Sequence, residues 1–147
     1  MKVSTKGRYG LRIMMELALH HGEGPVLVST IALNQSLPGK YIHVLVGGLK
    51  AAGLVRAVRG PNGGLELGRD PSRISPLDVV VALEGPIAGS ARPTEDLPPQ
   101  DQVEGAVARE VWAELAVAME TALARHTLAD LAERQRARTG GTDGYII

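Results

Sequence analysis

Residues 36–65 read SLPGKYIHVLVGGLKAAGLVRAVRGPNGGL, and the order of elements within them constrains the rest of the chain. Leu45, Leu49 and Ala52 recur at helical spacing, with Tyr41 and Ile42 one turn earlier. Gly53 stands where a helix ends on a left-handed residue. Leu54 to Val58 carries β-branched valines that suit a strand. Gly60-Pro61-Asn62-Gly63-Gly64 is turn chemistry, with Arg59 at its edge. A helix followed by a two-stranded hairpin is the core of a winged helix-turn-helix. In that arrangement the helix lies in the major groove of DNA and the hairpin reaches sideways along it.

Working outward toward the N-terminus, Ser36-Leu37 reads as the turn and Pro38 suits the first position of the recognition helix. Ser29 is a good N-cap for a two-turn helix over Thr30–Gln35, with Ile31 and Ala32 facing the core. Val26-Leu27-Val28 is a short strand candidate able to pair with the hairpin. Lys6 to His21 reads as the first helix, with Leu11, Met14 or Met15, Ala18 and Leu19 on its apolar face. Lys2, Lys6, Arg8 and Arg12 gather at or before its start. Cations there oppose the helix dipole, a cost that DNA phosphates would relieve.

Toward the C-terminus, Ser75-Pro76-Leu77-Asp78 is a helix start with cap, proline and acid in order. Residues 87–102 are rich in Pro, Gly, Ser and acids and read as an irregular loop. Val103, Val107, Val111, Leu115, Met119 and Leu123 then recur every four residues, broadened by Trp112, Ala116 and Ala122. One small domain can hardly cover both sides of such a helix, so its apolar stripe points to an interface between two subunits. Thr127-Leu128-Ala129-Asp130 starts a final short helix by a cap-and-acid pattern. Arg134 to Arg138 reads as basic and solvated.

Composition sets the outer limits. The chain has 147 residues, enough for one compact core, and the 44% of hydrophobic residues argues against disorder throughout. No apolar run is long enough to cross a membrane and no signal-peptide pattern opens the chain, so a cytoplasmic location is expected. Net charge is zero, yet it is unevenly placed. Residues 1–70 hold nine Lys/Arg against four Asp/Glu, and residues 71–147 hold seven against twelve. A basic first half and an acidic second half suit a DNA-facing part joined to a dimerising one. There is no cysteine. Disulfides, a thiolate nucleophile and a cysteine-ligated cluster are therefore excluded.

The whole pattern resembles the Rrf2 family of bacterial transcription regulators. The resemblance rests on Met1-Lys2-Val3-Ser4-Thr5-Lys6-Gly7-Arg8-Tyr9-Gly10, on Tyr41-Ile42 and on Leu49-x-x-x-Gly53-Leu54-Val55. It continues through Arg59-Gly60-x-x-Gly63-Gly64, Ile74-Ser75-Pro76-Leu77-Asp78-Val79-Val80 to Glu84-Gly85-Pro86, and Thr127-Leu128-Ala129-Asp130-Leu131. It implies a mainly α fold with a small β hairpin, a winged helix-turn-helix plus a long dimerisation helix. The expected organisation is a DNA-binding domain over 1–85 and an irregular loop over 86–102. The dimerisation helix and a final short helix follow over 103–139, and a tail over 140–147. In many relatives the loop carries three cysteines that bind an iron–sulfur cluster. Here it has none, so no cofactor is expected. Some cysteine-poor relatives answer to a partner enzyme of cysteine metabolism, which makes a partner protein or a small effector the expected source of signal.

Three residues are expected to read DNA: Lys40 and His43 near the start of the recognition helix, and Arg59 at the wing, suited to a narrow minor groove. In relatives the position of His43 is often a glutamate that reads a cytosine, so the relatives' operator need not carry over. Lys2, Lys6, Arg8, Tyr9, Ser29, Tyr41, Lys50 and Arg56 are candidates for phosphate contact. A dimer of this kind reads an inverted repeat in double-stranded DNA. The alternative is a protein-interaction module, with Gly47-Gly48 marking a degenerate recognition helix. Enzyme readings find little support: Gly60-x-x-Gly63-Gly64 is a turn and not a nucleotide fingerprint. His20 and His21 point about 100° apart on a helix. His43 and His126 lie far apart in sequence. Glu95, Asp96, Asp101 and Glu104 read better as a solvated acidic loop than as a hard-cation site.

Overall fold

The computed structural model describes residues 3–87 and 103–143. Lys2, most of the expected loop and the last four residues lie outside them. Helices α1 (Thr5–Leu19), α2 (Val28–Gln35) and α3 (Gly39–Ala51) precede strands β1 (Val55–Val58) and β2 (Gly64–Leu67). Helices α4 (Pro76–Glu84), α5 (Val103–Ala124) and α6 (Leu128–Asp143) follow. The fold is mainly helical, with one small antiparallel hairpin pairing Val55 with Leu67 and Val58 with Gly64.

One core joins the first three helices and the hairpin. Ile13, Met14 and Leu17 of α1 meet Ile31 of α2, Ile42, Leu45 and Leu49 of α3, and Leu65 and Leu67 of β2. Ser36 ends α2 in the left-handed conformation (φ 54°), and Gly53 follows α3 at φ 74°. The expected strand at Val26–Val28 shrinks to a single bridge. Val26 and Leu65 exchange backbone hydrogen bonds of 2.8 Å each way, and Val28 already starts α2. This bridge explains Gly64. A side chain there would strike the backbone of Val26 and Leu27, forcing the hairpin off α2.

Two cap assignments move by a residue or two. The N-cap of α2 is Leu27, which offers no side-chain hydrogen bond, so Ser29 lies inside the helix. Pro38 is the N-cap of α3, and Gly39 is its first residue. The cap of α4 forms as the sequence predicts: Ser75 N–H donates to Asp78 Oδ2 (2.9 Å) and Asp78 N–H to Ser75 Oγ (3.1 Å). In the 3-10 turn before it, the Ser72 hydroxyl and backbone N–H hold the Asp70 carboxyl below its ordinary value.

The cost of cations at the start of α1 is met from inside the protein. Glu84, the last residue of α4, places Oε1 2.7 Å from Ser4 N and 3.3 Å from Gly7 N. A carboxylate at a helix N-terminus satisfies otherwise orphaned donors and the dipole together. DNA phosphates are therefore not needed to explain Lys6 and Arg8. We expect Glu84→Ala to lower the unfolding free energy by about 1 kcal/mol, as removal of a helix cap does. Urea denaturation checks this, and a change within error would show that water replaces the carboxylate at no cost.

Gly47 and Gly48 do not break α3. A methyl group on Gly48 would approach Leu83 of α4 to 3.1 Å, so that glycine lets α4 lie close. Gly47 meets nothing within 4 Å, although a glycine inside a helix costs roughly 0.8–1 kcal/mol relative to alanine.

Helix α6 is longer than the short element expected, and its basic stretch is not wholly solvated. Leu128 and Ala132 are buried in the main core, and Arg136 donates to the carbonyl oxygens of Leu19 (2.9 Å) and Ala18 (3.4 Å). It thus covers the carbonyl end of α1, where a cation is favoured. Among the described residues, helix α5 is covered along one edge alone. Ala116 is buried, and Met119 and Leu123 pack partly against Val80 and Ile87. Val107, Val111, Trp112, Leu115 and Val117 are exposed.

Candidate nucleic-acid interface

Helix α3 buries Ile42, Leu45, Val46 and Leu49 and turns the opposite side outward. Lys40, His43, Val44 and Gly47 are exposed, at the i, i+3, i+4, i+7 spacing of one helix face, and Lys50 is exposed one turn further. Lys40 and His43, read as base-facing from sequence, therefore share this face. Arg59 is exposed between β1 and the hairpin turn. That turn is closed by the Gly63 N–H donating to the Gly60 carbonyl (2.9 Å), where a side chain on Gly63 would collide with the backbone of Val58. Among the described residues, the side chains of Lys6, Arg8, Lys40, Lys50 and Arg59 have no ion-pair partner.

The start of α1 is fixed to the start of α3 by two aromatic rings. Tyr9 and Tyr41 meet edge to face, centroids 5.8 Å apart, and the Arg12 guanidinium lies 5.3 Å from the Tyr9 centroid. Both tyrosines are half-buried, packed against the core that α1 and α3 share. Through this contact α1 and α3 are held together near the ends that carry Lys6, Arg8 and Lys40.

Arg12 is committed elsewhere. It donates to Gln35 through Nε to Oε1 (3.0 Å) and through Nη2 to the backbone oxygen (2.8 Å). Gln35 Nε2 in turn donates to Glu16 (2.9 Å), and Asn34 Nδ2 donates to the other carboxylate oxygen. Glu16 is almost fully buried, and His20 Nε2 approaches it at 3.5 Å. This network holds α1 to the end of α2 just before the turn that launches α3. The sequence held one signal for it: an acid three residues after Ile13 and next to Leu17, on the core side of α1.

Two candidates look less suited to DNA. Arg56 is paired across the hairpin with Glu66, 2.8 Å from Nη2 and 2.9 Å from Nε to Oε1. It borders a cleft of about 300 Å³ shared with His20, His21 and Leu65, at the C-terminal end of α1. Ser29 is exposed in the first turn of α2, where its hydroxyl does not cap the helix. Lys2 lies outside the described residues.

A turn-linked helix pair, an outward basic helix face and a glycine-closed wing bearing an arginine define a winged helix-turn-helix DNA-binding protein. A family model described as Rrf2, iron-dependent transcriptional regulator, matches residues 3–134. The chain belongs to the Rrf2 family, whose members are transcription regulators and not enzymes.

The transcriptional regulator CymR of Bacillus subtilis is 44% identical over 132 residues, 90% of each chain. The solved structure of that protein, the global cysteine regulator of B. subtilis, superposes with a TM-score of 0.76 at 42% identity over 91% of this chain and 98% of that one. The structure of IscR from T. potens gives a TM-score of 0.74 at 38% identity over 92% and 88% of the two chains. The protein rrf2 of Nitratidesulfovibrio vulgaris is 35% identical over 131 residues, 89% of this chain and 87% of its own.

The family is described as iron-dependent, but an iron–sulfur cluster does not fit this chain's donors. Protein-held iron–sulfur clusters need thiolates, and the sequence has no cysteine. Among the described residues no group of three or more His, Asp or Glu is placed to hold a metal ion. Nor is any described helix long and apolar enough to cross a membrane.

Proposed function

We propose that the protein is a homodimeric repressor that reads an inverted-repeat operator and takes its signal from something other than an iron–sulfur cluster. The observation that carries this is the outward face of α3, with Lys40 and His43 beside a wing whose Arg59 is unpaired among the described residues. Helix α3 enters the major groove, and Arg59 reaches a narrow minor groove. Lys2, Lys6, Arg8, Lys50 and the hydroxyls of Tyr9 and Tyr41 hold phosphates, and Ser29, whose hydroxyl is not used as a helix cap, is left available for one more. Arg56, neutralised by Glu66, adds least. The exposed stripe of α5 pairs with its copy in a second protomer, and two-fold symmetry in the protein is matched by symmetry in the site. Seated over a promoter in the cytoplasm, such a dimer blocks polymerase by occupancy.

The unbroken thirteen residues of α3 support a working recognition helix over an interaction module with a degenerate one. The likeness to a global cysteine regulator over nine-tenths of both chains supports a metabolic signal, delivered by a small effector or a partner protein. Selection from random duplex DNA, with no cofactor added, tests the reading. We expect an enriched inverted repeat, and a plot of log affinity against log salt with a slope of roughly −5 or steeper, since each neutralised phosphate contributes about −0.9. No enrichment at low salt would favour the interaction module.

A further inference from the structure

Val44 is a bare apolar side chain on a face that is otherwise polar and basic. It is 65% exposed, although the same helix offers a full core side for apolar residues. Gly47, one turn on, is exposed too, and apart from its chain neighbours and the backbone of its own helix nothing comes within 4 Å of where its Cβ would stand. Its neighbour Gly48 is accounted for by Leu83, whereas nothing inside the fold accounts for Gly47. An exposed β-branched residue and an internal glycine both disfavour the helix that carries them. Both lie between Lys40 and Lys50, on the face that includes His43.

We infer that Val44 and Gly47 form an apolar reading step on α3 that takes the C5-methyl group of a thymine in each half-site. The inference rests on the DNA-reading role of α3 proposed above. In the major groove thymine alone among the four bases presents a methyl group, and an apolar side chain is its natural partner. The bare backbone at Gly47 lets the helix approach the base edges closely enough for the Val44 methyls to reach it. The basic residues on either side supply attraction to DNA, and Val44 supplies a preference for the thymine methyl that a cation cannot make.

The probe is the duplex enriched by selection, with each thymine replaced in turn by uracil, which removes the methyl and leaves the pairing intact. At one thymine per half-site the full-length protein is expected to lose affinity about fourfold, the worth of one buried methyl-sized group. Val44→Ala is expected to bind the thymine and uracil duplexes alike. Gly47→Ala is expected to weaken binding to both while leaving the melting temperature unchanged or raised. If every thymine tolerates the change within twofold, or if Val44→Ala keeps the discrimination, the inference is overturned while DNA reading stands. Unchanged binding by Gly47→Ala overturns the part given to that residue. Failure to enrich any duplex overturns the DNA reading and this step with it.

Discussion

Trp112→Glu is expected to turn the protein into a monomer and to weaken its hold on an inverted repeat by at least about 100-fold, the usual scale on which joined binding sites exceed single ones. Trp112 is 61% exposed in the protomer, and Val107, Val111 and Leu115, which recur every four residues on the same helix, are exposed beside it. So large an apolar patch on one helix marks an interaction surface. A carboxylate there costs the isolated protomer little, because the position already faces water. In a dimer it would have to be buried without a partner, and desolvating a lone charge costs several kcal/mol. The substitution thus separates folding from association. Sedimentation velocity reads the association, and binding to a whole site against a half-site reads its consequence. Binding to the half-site should be nearly unchanged, since α3 and the wing are untouched. Because Trp112 is the single tryptophan, its emission should shift to the red when the wild-type protein is diluted through its dissociation range. A variant that still sediments as a dimer would place the interface elsewhere and remove α5 from the argument.

What the sequence revealed, and what it hid, follows from the range of the interactions involved. The reading helix, the hairpin and the start of α4 rest on local chemistry. Gly53 stops a helix, Gly60 to Gly64 make a turn, and Ser75 with Asp78 closes a cap within four residues. The face of α3 was legible in the same way, since periodicity alone sends Lys40 and His43 outward. The partners that the sequence did not show lie outside the local chemistry of a single element. Glu84 caps a helix 80 residues earlier, and Arg136 covers the end of that same helix from 117 residues later. Arg12 and Arg56 looked like free cations until Gln35 and Glu66 took them up. Val44 was overlooked for a different reason: a valine in a helix suggests core, and exposure alone reveals that it is not. Cations therefore make a poor site list from sequence by themselves, because charge says nothing of whether a partner has already been found.

Arg59→Ala is expected to lower affinity for the selected operator about 10- to 100-fold, or about 1–3 kcal/mol. Protein stability should stay within about 0.5 kcal/mol, as for other exposed substitutions away from caps and cores. Electrophoretic mobility shift at fixed salt and thermal melting read the two. The expectation rests on how the residue is presented. β1 ends at Val58, the Gly60 carbonyl accepts from Gly63, and Gly64 is pinned against Val26. The arginine is therefore offered from a turn tied at both ends to the core, so its backbone loses little freedom on binding. Two modes of contact remain, and Arg59→Lys separates them. Against a phosphate, lysine supplies the same charge and should restore most of the affinity. Inside a narrow minor groove the guanidinium is favoured, because it gives up its water more readily than an ammonium does. Lysine should then restore little, and the preference for A·T pairs beneath the wing should vanish in both variants. Full rescue by lysine would make the wing a phosphate clamp and leave sequence reading to α3 alone. Binding unaffected by Arg59→Ala would release the wing from DNA altogether, and with it the reason for an arginine at the edge of so tightly built a turn.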